Sequence, residues 1–214
     1  MGYTITLLPI FLNMENLILT NLIFAAGLII ALTIHEFAHA FVADRFGDPT
    51  PRSYGRVSLN PLRHLDPVGT LMLLIFHFGW GKPVPIDPYN LSKKETTYVA
   101  LAGPGSNLLL AVIFALIIRF LPLNQAITAI FFQFIYLNLV LAVFNFIPIP
   151  PLDGSKLLLN LLPEDQALEW EQAFDRYGFI ILLALLFLPI NGSNIINLIL
   201  TPLINLLLSF LLPR

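Results

Sequence analysis

Long apolar runs separated by short polar breaks dominate this chain. Residues 16–43 stay apolar for a full bilayer width, with their polar side chains gathered near the end, and about 20 such residues suffice to span. Two further runs, 97–121 and 126–147, are comparable, and the second ends at Pro148, Pro150 and Pro151, where a helix must break. Two shorter runs, 177–190 and 195–212, meet at an Asn191-Gly192 turn. Residues 1–12 are apolar but too short to cross, and are expected at the interface or packed on the protein. Residues 67–80 are hydrophobic over only fourteen positions, a length that suits a re-entrant or interfacial segment. The GKPVPIDPYN that follows should be extended or turned, because proline removes backbone donors, and lipid cannot satisfy such a segment. The pattern predicts an all-α polytopic membrane protein with about five transmembrane helices plus a re-entrant, partly extended hairpin element. It reads as a single membrane-embedded domain over 1–214, with a core at about 16–160 and accessory helices at 177–212.

Composition agrees: 57% of residues are hydrophobic and 11% charged, against roughly 45–50% and about 25% in soluble domains. The chain has no cysteine, so disulfides, thiolate catalysis and cysteine-ligated metals are excluded. The eleven Lys and Arg residues form no basic stripe, and net charge is −2, which argues against a nucleic-acid partner. The first basic residue is Arg45, so the start lacks the charged region of a secretory signal and is expected to belong to the mature protein.

Residues 35–39 read His-Glu-Phe-Ala-His. On a helix, positions i and i+4 share a face, so both imidazoles can reach one ion while Glu36 stands beside it. Ionisable groups inside a membrane helix are costly and point to function. A catalytic zinc takes a third protein ligand. The remaining histidines are His64, in the loop with Arg45, Arg52, Arg56 and Arg63, and His77, in the short apolar segment; Asp153 follows the proline break IPIPPLDG. Pro-Leu-Asp-Gly is equally an ordinary turn whose Asp caps the next helix, and spacing leaves ligand and cap equally open.

HEFAHA in one apolar run, GPGSN opening another and NFIPIPPLDG ending the next resemble the site-2 protease family of intramembrane zinc metalloproteases over about residues 20–160. The resemblance implies that His35, His39 and Asp153 bind one Zn2+, that Glu36 activates water, and that Asn145, Pro148 and Pro150 hold substrate backbone. It also implies transmembrane protein substrates. The chain has no stretch long enough for the PDZ or CBS domain of larger members. Asn107 could orient a ligand, although a helix–helix polar contact is the simpler reading. His64 reads as an interfacial residue beside Arg63 rather than a movable extra ligand, and His77 as packed near the interface. GKPVPID offers either an extended edge for an unwound substrate strand or a surface turn. The rivals are a zinc-binding membrane transporter and a non-proteolytic scaffold; only a protease needs Glu36 as general base.

Charge bias and metal geometry then constrain the path. The arginine loop 44–66 should be cytoplasmic, which puts the metal site toward the cytoplasmic side of the cell membrane. If 67–80 crossed fully, Asp153 would emerge on the face opposite HEFAHA. A re-entrant 67–92 brings it to the same face and leaves Arg119 as the one basic residue of eleven outside.

Overall fold

The computed structural model describes residues 14–76, 79–190 and 193–212. The expectations for residues 1–12, His77, Asn191-Gly192 and Arg214 fall outside them. Helix α1 (Met14–Arg45) carries HEFAHA in its last third. A four-residue helix α2 (Thr50–Ser53) follows, then a 3-10 turn at Pro61–Arg63 and helix α3 (Pro67–Phe76). An extended stretch and a second 3-10 turn, Pro88–Asn90, lead into α4 (Lys93–Phe120) and α5 (Gln125–Asn145). Helices α6 (Asp153–Leu161), α7 (Glu164–Phe187) and α8 (Ile195–Leu211) complete the fold. The only ladder among the described residues joins Pro189–Ile190 to Ser193–Asn194.

The chain is a helical membrane protein. Three helices are long and apolar enough to cross a bilayer: Ile18–Arg45, Lys93–Phe120 and Gln125–Asn145. Helix α8, with 17 residues, is shorter. The apolar run expected at 177–190 is not a separate element; it is the second half of α7, whose first half is the acidic segment from Glu164.

Local chemistry sets the helix boundaries. Ser92 and Glu95 form a reciprocal capping box that starts α4, and the Asn124 side chain accepts from Ile127 N–H to start α5. The α3 segment is closed at its base: Leu65 and Gly81 form an antiparallel bridge, and Lys82 N–H donates to the His64 carbonyl at 2.7 Å. The chain thus leaves and returns to the same point around a helix of ten residues, about 15 Å long at 1.5 Å per residue. Asp48, fully buried, ties the region down by accepting from the backbone N–H groups of Thr50 and Asp87 and from the Asn90 amide.

The main core lies between α4, α5, α7 and α8, where Ala111, Ala115, Ile135, Leu139, Leu182, Leu200 and Ile204 pack together. Alanines on α4 let α5 approach closely, as is usual where helices associate without a hydrophobic driving force. A different face of α4 lies along α1 and carries the polar groups.

Candidate metal centre

Ala31, His35 and His39 recur every four residues on α1, and Val99, Gly103 and Asn107 do so on α4. The rows face each other with opposite chain direction. The His39 Nδ1–H donates to the Val99 carbonyl at 2.6 Å; at the other end the Asn107 amide meets the Ala31 carbonyl and the His35 ring. Gly103, between them, presents no side chain. A Cβ built there would lie 2.6 Å from His35 Nε2 and closer still to His39 Nε2.

The three expected ligands come together in this gap. His35 Nε2 and His39 Nε2 lie 3.1 Å apart, and Asp153 Oδ2 is 3.1 Å from the first and 3.0 Å from the second. All three residues are buried, at 3%, 5% and 6% exposure. Asp153 is the first residue of α6 and makes no side-chain cap, so it is not spent on the helix terminus. Its Oδ1 lies 3.7 Å from the Lys156 ammonium. Gly154 lets the chain turn this sharply, because a Cβ there would run into the carbonyls of Phe146 and Ile147.

Backbone carbonyls, which can only accept, fix the proton positions. Asn138 donates from Nδ2 to the Phe134 carbonyl, so its Oδ1 faces Asn107 and accepts from Nδ2 there at 3.0 Å. Asn107 Nδ2 also donates to Ala31, so its Oδ1 accepts from the His35 Nδ1–H at 2.7 Å. The Val99 carbonyl fixes His39 in the same way. Both rings therefore turn Nε2 lone pairs toward each other and toward a carboxylate oxygen. Three buried acceptors this close require positive charge among them, since an unpaired buried acceptor costs about 1–3 kcal/mol. Two imidazoles and a carboxylate suit Zn2+, whose bonds of about 2.0–2.2 Å in tetrahedral array separate neighbouring donors by roughly 3.3 Å. The observed edges fit.

Glu36 is half-buried and makes no hydrogen bond or ion pair among the described residues. Asn107 has both roles left open by its position, since it joins α1 to α4 and orients His35. Asn145 donates to the Leu141 carbonyl of its own helix, Pro148 is exposed, and Pro150 packs against Gly178 of α7. None of the three makes a polar contact with the triangle. His64 is fully buried inside the protein, because the bridge at Leu65 and Gly81 draws it under the returning strand. Sequence reasoning missed Gly103 as the residue that leaves room for the site, although GPGSN opening an apolar helix was the available signal.

A family model described as peptidase family M50 matches residues 122–188. YwhC of Bacillus subtilis, provisionally named a zinc metalloprotease, is 40% identical over 176 residues, covering 77% of this chain and 80% of its own. Rip2 of Mycolicibacterium smegmatis, also provisionally named a zinc metalloprotease, is 35% identical over 180 residues, 77% of this chain and 66% of the relative. The Rip2 of Mycobacterium tuberculosis is 37% identical over 150 residues, 66% of this chain and 58% of the relative. No solved structure matches.

Proposed function

The chain belongs to peptidase family M50, the site-2 protease family of intramembrane zinc metalloproteases, and from that premise we propose how its own residues divide the work. The observation that carries the assignment is the convergence of three buried lone-pair donors, from His35, His39 and Asp153, beside an unpartnered glutamate. These three would hold Zn2+. When bound, zinc polarises a carbonyl as a Lewis acid and lowers the pKa of water toward about 7.

Everything else falls to the chain. Val99 and Asn107 hold the two rings in the tautomer that aims Nε2 at the ligand position, a restraint whose loss typically costs 10–100-fold in metal affinity. Glu36, without a competing partner, accepts the proton of the attacking water on its carboxylate and returns it to the leaving amine. Asn145, whose amide donor is held by Leu141 while its Oδ1 stays open, together with Pro148 and Pro150 at the break before Asp153, would receive substrate backbone. Substrate helices must unwind locally there, because their carbonyls are otherwise shielded by their own hydrogen bonds.

The proposed path through the cell membrane has an outside N-terminus, five spans including the apolar part of α7 and α8, and a re-entrant 67–92. The bridge between Leu65 and Gly81 supports re-entry, since a segment tied at both ends cannot cross. Exposed Phe179, Ile180, Phe187, Leu198 and Phe210 support lipid contact for α7 and α8. This path makes 1–214 one membrane domain with its site toward the cytoplasm.

The test is mass spectrometry of a model transmembrane substrate incubated with purified protein in detergent, with and without a zinc chelator. Zinc-dependent cleavage is expected for the wild type and none for Glu36→Gln, which should retain full zinc. Equal loss of zinc from Glu36→Gln would overturn its assignment as base.

A further inference from the structure

Arg56 and His64, both within electrostatic reach of Glu36, each leave buried side-chain atoms without a partner, as Thr33 and Asn160 also do. Arg56 is 3% exposed. One terminal nitrogen donates to the Lys82 carbonyl, but Nε and Nη1, with three N–H bonds between them, have no partner. His64 is fully buried; its Nε2–H donates to the Ser58 carbonyl at 2.7 Å, so Nδ1 carries a lone pair, and that atom too is unpartnered.

Their placement is built. Helix α2 ends in a Schellman motif, with Gly55 at φ +67°, Gly55 N–H on the Arg52 carbonyl and Arg56 N–H on the Pro51 carbonyl. That turn directs the chain inward at Arg56. Gly81 is wedged between the Leu32 side chain and the His64 carbonyl, since a Cβ there would lie 3.0 Å from one and 3.1 Å from the other. Leu32 and Glu36 share a face of α1 as i and i+4, so the strand and loop carrying Arg56 and His64 lie over the face that presents the catalytic glutamate. The Glu36 carboxylate acts electrostatically on both residues, and burial lowers the pKa of the His64 imidazole, favouring the neutral ring.

Three unpaired donors on Arg56 and one unpaired acceptor on His64, two residues near enough to interact electrostatically, match what a peptide group needs, a donor for its carbonyl and an acceptor for its N–H. Resting on the protease reading, we propose that Arg56 and His64 form a backbone subsite that binds one peptide unit of the unwound substrate, Arg56 donating to its carbonyl and His64 Nδ1 accepting its N–H. The subsite ignores side chains. It gives register to a strand that has left its own helical hydrogen bonds, which suits an enzyme acting on varied apolar segments.

An amide-to-ester scan tests this. In semisynthetic model substrates, each peptide bond within three residues of the cleavage site, the scissile bond excepted, is replaced in turn by an ester, which removes the N–H and weakens the carbonyl. For zinc-loaded wild type in detergent, one position should lose about five- to tenfold in kcat/KM, the worth of one hydrogen bond. In His64→Leu, which removes the Nδ1 acceptor and supplies no other, amide and ester at that position should be cleaved alike. If that variant fails to load zinc, Arg56→Lys, which loses the guanidinium fork, is compared in the same cycle and should show at most a residual ester effect, with its own deficit mainly in KM. A flat scan of an active, chelator-sensitive wild type overturns the subsite and leaves the protease assignment standing, as does an ester effect undiminished in the variant that loads zinc. A zinc-loaded wild type that cleaves no parent amide fails the protease reading itself, and the subsite with it.

Discussion

Replacing Gly103 by alanine adds one methyl group to the centre of the face between α1 and α4. That methyl would stand 2.6 Å from both Cε1 and Nε2 of His35, and nearer to His39 Nε2, whereas ordinary contact begins at 3.4 Å. The His35 contacts alone require a retreat of roughly 0.8 Å and the His39 contact requires more, several times the ±0.2 Å tolerance of a metal–ligand bond. Overpacking of this kind costs about 1–3 kcal/mol. If the cost is borne by the ligands, zinc affinity falls roughly five- to hundredfold, at 1.4 kcal/mol per factor of ten; if by helix packing, it appears as reduced thermal stability of the zinc-free protein. Gly105 is the internal control, because a Cβ there meets nothing within 4 Å. Gly105→Ala should bind zinc normally and gain about 0.5–1 kcal/mol from the lower entropy of alanine. The assays are zinc stoichiometry by plasma mass spectrometry, affinity by competition with a chromophoric chelator, and melting with and without zinc. Wild-type stoichiometry, affinity and melting in Gly103→Ala would refute the reasoning.

Asn107→Leu should lower zinc affinity by about 10–100-fold through loss of the His35 tautomer restraint, with the Asn138 Oδ1 left unpaired; unchanged affinity in the competition assay would show that the ring needs no orienting partner. Burial lowers the pKa of His64, so below the ordinary histidine value of about 6.5 the unfolded chain binds a proton that the folded chain does not, and stability must decline as pH falls through that value. Melting of wild type and His64→Gln from pH 8 to 5 checks this, and an identical slope in both would contradict it. For the membrane path, cysteines at exposed Lys94 and Gln125 avoid the caps Ser92 and Asn124. With an impermeant thiol reagent in intact cells, Gln125→Cys should label and Lys94→Cys should not; labelling at the latter would mean that 67–92 crosses.

Local pattern was enough for the long helices, since apolar length alone selects a spanning helix, and for the facing of His35 and His39, since i and i+4 is a property of one helix. The same logic singled out Glu36. What it could not decide were contacts between residues far apart in sequence. Asp153 had two equal readings until α5 and α6 brought it to α1, where its carboxylate faces two imidazoles and caps nothing. Gly103 and Gly105 are indistinguishable in GPGSN; only the packing of α4 on α1 makes one of them indispensable and the other free. His64 looked interfacial beside an arginine, and the pairing of Leu65 with Gly81 buries it. The acidic segment and the apolar run after it read as two pieces, yet they are one helix, because no proline interrupts Glu164–Phe187 and helix propagation costs less than a new start. Spacing within a helix is carried by the sequence, but the partner across a helix interface is fixed only when the whole chain has packed.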